Sequence, residues 1–296
     1  MTNVGVIGLG NMGIGLAANL IKSGFPCAGF DLRAERLDMF ETLGGQPASS
    51  PRQVGEHTDA VFIMVMNGQQ VHDVIAGEDG LLQSLKPGST VILTATVEPR
   101  DARAAAQTLA AAGIDLIDAP VSGGKSGADS GTLTMMAAAP QTVFERNRPV
   151  LQAVGEKIFH VGGEAGMGQT VKASLQAFIG ASFTAIFESL VLGSKAGVSG
   201  QVLFDVFSAS GVGSPLFRNC ATLIMDRKFE NTGSHIGTMY KDLGISMALA
   251  RENGVSMFTT AAAHELFQAG MSLFPAGDNW SIVKLLEQIA GTEVTW

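Results

Sequence analysis

Two cysteines, two tryptophans and a single tyrosine are all that 296 residues hold of these types. Two thiols make no disulfide framework, and Cys27, set in an apolar run, reads as packing. Charge is sparse as well: Asp, Glu, Lys and Arg make up 16% of the chain, with 27 acids against 19 bases and a net charge of −8. An acidic chain is a poor match for nucleic acid or for an anionic membrane surface. No signal-peptide pattern precedes the first strand-like run, which follows Thr2 and Asn3 directly. The most apolar stretch, residues 178–193, falls short of a spanning length and carries Glu188. It reads as a helix buried on most sides, within a domain or between subunits, so a cytoplasmic protein is expected. Among the five histidines, His57, His72, His160, His235 and His264, none adjoins a glycine-rich strand end in the way a His–Asp relay would. No His, Cys and Asp set has metal-ligand spacing, and no catalytic metal is expected.

What the chain has in excess is glycine, 37 residues of it, and apolar surface, with a mean hydropathy of +0.26. The length suits about two domains. Short, continuously apolar runs occur at 3–8, 27–31, 60–65, 90–94 and 114–119, then at 132–138 and 157–161. Helical patterns near 12–22, 33–43, 68–76, 99–112 and 140–153 separate them. Apolar strands alternating with helices define an α/β class, a doubly wound Rossmann-type sheet covered on both faces. After Gly162 and Gly163 only helical periods remain, at 168–195, 199–209, 215–226, 236–253, 257–269 and 278–290. The expected division is therefore 1–163 for a dinucleotide-binding domain and 164–296 for an all-helical substrate and oligomerisation domain.

The glycines give this outline its chemistry. In VGVIGLGNMGIGLAANL, Gly8, Gly10 and Gly13 lie between a strand and a helix. Gly8 allows the tight turn, Gly10 admits a pyrophosphate to the backbone, and Gly13 lets helix and sheet pack closely. Leu9, Asn11 and Met12 complete the phosphate-binding turn, and the helix N-terminus supplies amide donors. Asp31 ends the second strand 23 residues after Gly8, where a carboxylate accepts hydrogen bonds from the adenosine ribose. It would repel a 2′-phosphate, which favours NAD over NADP. Arg33 is the opposing signal, and a helix-capping role for Asp31 is the plainer alternative. Two later strand ends border the same crevice: at the first, which carries Met66 and Asn67, Met66 could pack on adenine or nicotinamide, and at the second Thr96 could bond the nicotinamide ribose.

A second cluster, DAPVSGGKSGADSGTLTMM, puts Ser122, Gly123 and Gly124 after a strand end. Consecutive backbone N–H groups there can form a small anion nest for a carboxylate. The alternative is a tight loop whose glycines only permit positive φ. Lys172 follows Gly166, Gly168 and Gln169 on the long apolar helix leaving the first domain. Lysine is unusual in an apolar stripe unless its ammonium has a task. Removed from water and beside a cationic nicotinamide, it is prepared to take the proton of a substrate hydroxyl. Gln176 lies four residues on and shares its face. Lys241 and Asp242 form a second charged site, facing the cofactor or lying on the surface. Asn279 and Trp280 read equally as pocket lining and as core.

Four blocks, GLGNMGIGLAANL, DAPVSGG with GTLTMM, the Gly-x-Gly-Gln-x-x-Lys segment ending at Lys172, and KDLGISMALA, occur in order along the chain. Together they resemble the β-hydroxyacid dehydrogenase family, which includes 3-hydroxyisobutyrate and tartronate-semialdehyde enzymes, over essentially the whole length. The resemblance implies that Lys172 is the catalytic base and that Ser122, Gly123 and Gly124 bind the substrate carboxylate. It implies that Lys241 and Thr96 touch the cofactor or nearby substrate. The family position four residues after the lysine is usually asparagine, and here it is Gln176, whose longer amide would shift the hydroxyl contacts. With the Lys241–Gly244 segment and the late Asp278 and Ser281, that glutamine resembles the L-threonate dehydrogenase branch. The implied reaction is NAD-linked oxidation of L-threonate to 2-dehydro-L-erythronate. Alternatives are 3-hydroxyisobutyrate or tartronate-semialdehyde (D-glycerate) chemistry and, more remotely, a non-catalytic NAD-binding protein, against which Lys172 speaks. The apolar helical domain points to a homodimer or homotetramer.

Overall fold

The computed structural model describes residues 2–296. The chain forms two compact units, one running to Lys172 and the other Ala173–Trp296. The composition change at Gly163 lies nine residues earlier, because the loop after the last strand and the first turns of the next helix belong to the first unit.

That unit is a mixed sheet with helices on both faces. Its strands are β1 (Val4–Ile7), β2 (Cys27–Phe30), β3 (Gln46–Pro47), β4 (Ala60–Ile63), β5 (Thr90–Leu93), β6 (Asp115–Asp118), β7 (Val121–Ser122), β8 (Leu133–Ala138) and β9 (Gly155–Gly162). The order is β3-β2-β1-β4-β5-β6-β8-β7, with β9 on β8. From β3 to β6 every pairing is parallel, while β8 runs antiparallel to β6 and β7. The intervening helices are α1 (Gly13–Lys22), α2 (Ala34–Thr42), α3 (Pro51–Gly55), α4 (Gly68–Ala76), α5 (Pro99–Ala110), α6 (Gly124–Ser130) and α7 (Gln141–Gln152).

Successive side chains of a strand leave on opposite faces, so each apolar run feeds two cores. Val4, Val6, Phe62, Ile92 and Ile117 pack with Leu16 of α1 and Phe144 of α7. Ile7, Val61, Ile63, Val91, Leu93 and Leu116 pack with Val71 of α4 and Leu109 of α5. Cys27 belongs to the first core, and burial pushes its thiol up to about 12, as expected for packing rather than chemistry. Serine and asparagine caps set helix starts: Ser50 accepts from the Gln53 amide, with Pro51 opening α3, and Asn67 accepts from the Gln70 amide at the start of α4.

The second unit is helical: most of α8 (Met167–Lys195), then α9 (Gly200–Ala209), α10 (Pro215–Met225), α11 (Ile236–Glu252), α12 (Phe258–Leu273) and α13 (Ile282–Ala290). Phe183, Phe187, Phe217, Phe267, Ile236 and Trp280 form its core. Helix α12 runs past the expected stop at residue 269. Gly270 is needed there for close approach, since a Cβ would lie 2.6 Å from Ile236 Cδ1.

One expectation about the long helix is corrected, its length, and its burial within the single chain is uneven. The apolar stretch is part of 29 continuous helical residues, long and apolar enough by length and composition to cross a membrane, and only 39% of that window is buried. Phe183, Phe187, Leu190 and Val191 enter the core, whereas Phe178 and Leu192 on another face are exposed. The helix thus buries one apolar face in the core and leaves another apolar face exposed, a division that hydropathy alone does not resolve.

Candidate active site

The parallel strands deliver their carboxyl ends, and the loops that follow them, to one edge of the sheet, where ligands of doubly wound folds bind. The turn after β1 is shaped by backbone demands. Gly8 has φ +89°, and a Cβ on Gly13 would lie 1.8 Å from the Gly8 carbonyl oxygen. Both glycines are therefore required by the protein itself. Gly10 is different: a Cβ there would meet only Arg33 Nη2, at 3.7 Å. Nothing in the chain forbids a side chain at Gly10, so the open approach it leaves suits a ligand lying against the backbone, as a dinucleotide pyrophosphate does.

Around this turn the expected cofactor residues divide. Leu9 is buried, and its amide donates to Asp31 Oδ2 at 2.8 Å. That donor is committed to holding the turn against β2. Asn11 is exposed and accepts from Arg36 Nη2 at 3.3 Å, while Met12 packs against the first core and precedes α1. Asp31 also accepts from the Arg33 amide at 3.0 Å and from Arg33 Nε at 3.1 Å. Burial works against ionisation of Asp31, but the Arg33 and Leu9 hydrogen bonds outweigh it and hold the carboxyl below its ordinary value. Helix α2 takes Arg33, not Asp31, at its N-cap. Met66 is exposed with its amide on Gln70 Oε1, Asn67 caps α4, and Thr96 sits half-buried just beyond β5.

Ser122 ends β7, a two-residue strand the sequence pattern missed, paired with Thr134 of β8. Gly123 (φ +130°) and Gly124 (φ +60°) follow with left-handed backbone, and a Cβ on Gly124 would meet nothing within 4 Å. Both are exposed, and the chain then turns into α6.

The Gly-x-Gly-Gln-x-x-Lys segment is the start of α8. Gly166 has φ +94°, and a Cβ on Gly168 would lie 2.5 Å from the carbonyl oxygens of Asp118 and Met136. Fully buried Asp118 accepts from the Gly166 amide at 2.8 Å, the Gln169 amide at 3.2 Å and Gln169 Nε2 at 2.8 Å. Burial pushes its carboxyl up to about 6 against the pull of these donors. Lys172, three residues beyond Gln169, is buried.

In the second unit Gln176 Nε2 donates to Asp242 Oδ2 at 2.6 Å, and Lys241 Nζ lies 2.9 Å from Asp242 Oδ1. With Asp242 almost completely buried, Lys241 and Asp242 are no surface pair. Trp280 is core, edge-on to Phe183 with its Nε1 donating to Thr232 Oγ1 at 2.9 Å. Asn279 is buried with Nδ2 on Ser234 Oγ, and Asp278 accepts from the Thr232 hydroxyl and amide. Asp278 and Asn279 therefore anchor the 232–234 loop inside the unit.

A Rossmann sheet with this turn, followed by an all-helical unit, defines a nicotinamide-dinucleotide oxidoreductase. Residues 3–162 match the model for the NAD binding domain of 6-phosphogluconate dehydrogenase, and residues 166–286 that for the NAD-binding domain of NADP-dependent 3-hydroxyisobutyrate dehydrogenase. The chain is 36% identical over 288 residues to an L-threonate dehydrogenase from Cupriavidus necator, covering 97% of each. It is 33% identical to 2-(hydroxymethyl)glutarate dehydrogenase from Eubacterium barkeri, over 99% of this chain and 97% of that one. The crystal structure of a Salmonella typhimurium 3-hydroxyisobutyrate dehydrogenase superposes with a TM-score of 0.87 at 30% identity, over 96% of this chain and all of that one. The chain belongs to the 3-hydroxyisobutyrate dehydrogenase-like family of β-hydroxyacid dehydrogenases. It is an NAD-dependent oxidoreductase acting on the CH–OH group of a small hydroxy acid.

Proposed function

We propose that the enzyme oxidises L-threonate to 2-dehydro-L-erythronate with NAD in preference to NADP, and that Lys172 is its general base. The identity to L-threonate dehydrogenases supports the substrate. The observation that carries the site is Lys172 itself, a buried lysine on a helix whose first turn is bolted to the ends of β5 and β6. Lys172 Nζ takes the proton of the C2 hydroxyl. The chemistry that bound NAD would supply is acceptance of the hydride from C2. Gly8, Leu9, Gly10, Asn11, Met12 and Gly13 form the turn that receives the pyrophosphate, with Gly10 leaving the room. Ionised Asp31 accepts from the adenosine ribose hydroxyls and repels a 2′-phosphate. Met66, Asn67 and Thr96 are assigned to the rest of the cofactor.

The substrate carboxylate is assigned to Ser122, Gly123 and Gly124, whose left-handed backbone leaves open space at Gly124. From the second unit, Gln176 is assigned to substrate hydroxyls. Its amide is oriented by Asp242, so Oε1 is the atom left to accept a hydroxyl proton. Lys241 is assigned to the cofactor. Alignment of these groups, rather than any single contact, is expected to supply most of the rate. The proposal extends to a cytoplasmic homodimer or homotetramer that covers the exposed α8 face carrying Phe178 and Leu192; sedimentation as a monomer at micromolar concentration overturns that part.

Initial rates with L-threonate, D-erythronate, 3-hydroxyisobutyrate and D-glycerate, each with NAD and NADP, test the substrate. L-Threonate with NAD is expected to give the highest kcat/KM, by about tenfold or more, the ratio that 1.4 kcal/mol of transition-state binding produces. A higher value for 3-hydroxyisobutyrate, the substrate in the name of the Salmonella structure, would favour that reading instead.

A further inference from the structure

Gln169 takes no part in the reaction just described, yet its side chain is completely buried and fully engaged. Nε2 donates to the Ala95 carbonyl at 3.0 Å and to Asp118 Oδ1 at 2.8 Å, while Oε1 accepts from the Val97 amide at 3.1 Å. Ala95 and Val97 flank Thr96. One side-chain amide therefore grips the chain on both sides of Thr96, and the backbone carrying that amide leads into Lys172 three residues later. We propose that Gln169 is a positioning residue for the reaction: it locks Thr96, in the loop after β5, and Lys172, on the first turns of α8, into one frame through Asp118.

Two features separate this from generic packing. The helix start has its own anchor, because Asp118 Oδ2 accepts from the Gly166 and Gln169 amides whatever side chain residue 169 carries. The Gln169 side chain instead reaches outward to the loop after β5. Its orientation is also determined: a donor must face Ala95 and Asp118, and an acceptor must face Val97. A carboxylate in its place would set acceptor against acceptor at two contacts, and a leucine would leave the Val97 amide and the Ala95 carbonyl without these partners.

The inference rests on the assignment of Lys172 to catalysis and of Thr96 to the cofactor, and the experiment tests the inference and the Lys172 assignment separately. Gln169→Glu, Gln169→Leu and Lys172→Ala are compared with wild type for kcat and both KM values from about pH 5.5 to 9, using the acid turned over fastest. Each variant is expressed as a ratio to wild type at the same pH. Besides Asp118, Arg103 of α5 sets its guanidinium against Gly166, just before residue 169, and Lys172 follows three residues on. Both are common to wild type and the Gln169 variants.

The expected result for Gln169→Leu is a kcat lowered about 10- to 100-fold at every pH, the cost of misplacing a reacting group by about 1 Å, with the KM for NAD within about threefold. Gln169→Glu shows the same loss at high pH and recovers on acidification, because one proton shared with Asp118 restores a donor between the carboxyls. A kcat near wild type in Gln169→Leu overturns the proposal, as does a Gln169→Glu deficit that does not change with pH. Should Gln169→Leu fail to fold, the pH rescue of Gln169→Glu decides alone. Lys172→Ala with a wild-type kcat overturns the assignment of Lys172 and the inference resting on it. Lys172→Ala inactive beside an unimpaired Gln169→Leu overturns positioning only.

Discussion

Replacing Gly10 by alanine separates what the nucleotide turn does for the fold from what it does for the cofactor. A Cβ at Gly10 meets no protein atom closer than 3.7 Å, and the residue is outside the left-handed region. Its effect on folding should stay within about 0.5 kcal/mol, a melting shift of about 2 °C or less in a chain of this size. The same methyl occupies the space through which a pyrophosphate must approach the backbone. Overpacking of that kind costs about 1–3 kcal/mol, which converts to a Kd for NAD raised about 5- to 150-fold. The paired control is Gly13→Ala. Its Cβ would fall 1.8 Å from the Gly8 carbonyl oxygen, so backbone must move and stability falls together with affinity. Calorimetric titration with NADH and thermal melts of the unliganded proteins read both quantities. Unchanged NAD affinity in Gly10→Ala would refute the placing of the pyrophosphate. A melting loss in Gly10→Ala equal to that of Gly13→Ala would refute the claim that ligand approach, not packing, leaves Gly10 open.

Further outcomes follow from the same geometry. Lys172→Ala should lower kcat by about 10²- to 10⁴-fold while NAD affinity changes less than about threefold, since a general base helps in the transition state; equal losses in both, seen by steady-state kinetics and NADH titration, remove it from that role. Asp31→Asn keeps an acceptor for the Leu9 amide but drops the charge. The kcat/KM ratio of NAD to NADP should then fall about tenfold, the size of a Coulomb repulsion of about 1–2 kcal/mol near the surface, and an unchanged ratio would show that Asp31 only braces the turn. Asp118, raised to about 6 in the folded protein against about 4 when unfolded, binds its proton more tightly in the native state. Its contribution to stability is therefore present below about pH 4 and is lost as pH rises through 6, amounting to about 3 kcal/mol. Urea midpoints should show wild type losing that much relative to Asp118→Asn between about pH 4 and pH 7; parallel pH slopes would contradict the shift.

The parts of this protein legible in its sequence are those whose cause is local. Gly8 and Gly13 announce themselves because the turn between a strand and a helix allows no Cβ at either place, and that constraint lies within a few residues. Continuous apolar runs mark β1, β4, β5 and β6 because each feeds a core on both faces. The two-residue strands β3 and β7 carry no such period, and their existence is decided by neighbours already in the sheet. Residues 278–280 are a harder case. A polar-aromatic cluster near a domain end looks like pocket lining, yet Asp278 and Trp280 spend their polar atoms on Thr232, 46 and 48 residues away.

The same reasoning explains why the lysine was visible and its frame was not. Lys172 stands out against an apolar helix, a contrast contained in one segment. What orients the glutamine amides of α8 is long-range: Gln169 reaches Val97 and Ala95 across 72 and 74 positions, and Gln176 is turned by Asp242 across 66. A glutamine inside a helix carries no sign of which way its amide faces, because either orientation is equally easy until a buried donor or acceptor arrives. Once Asp242 takes the Gln176 Nε2, the other end of that amide becomes an acceptor. Residue type names a site, and the distant partner decides what chemistry its atoms offer.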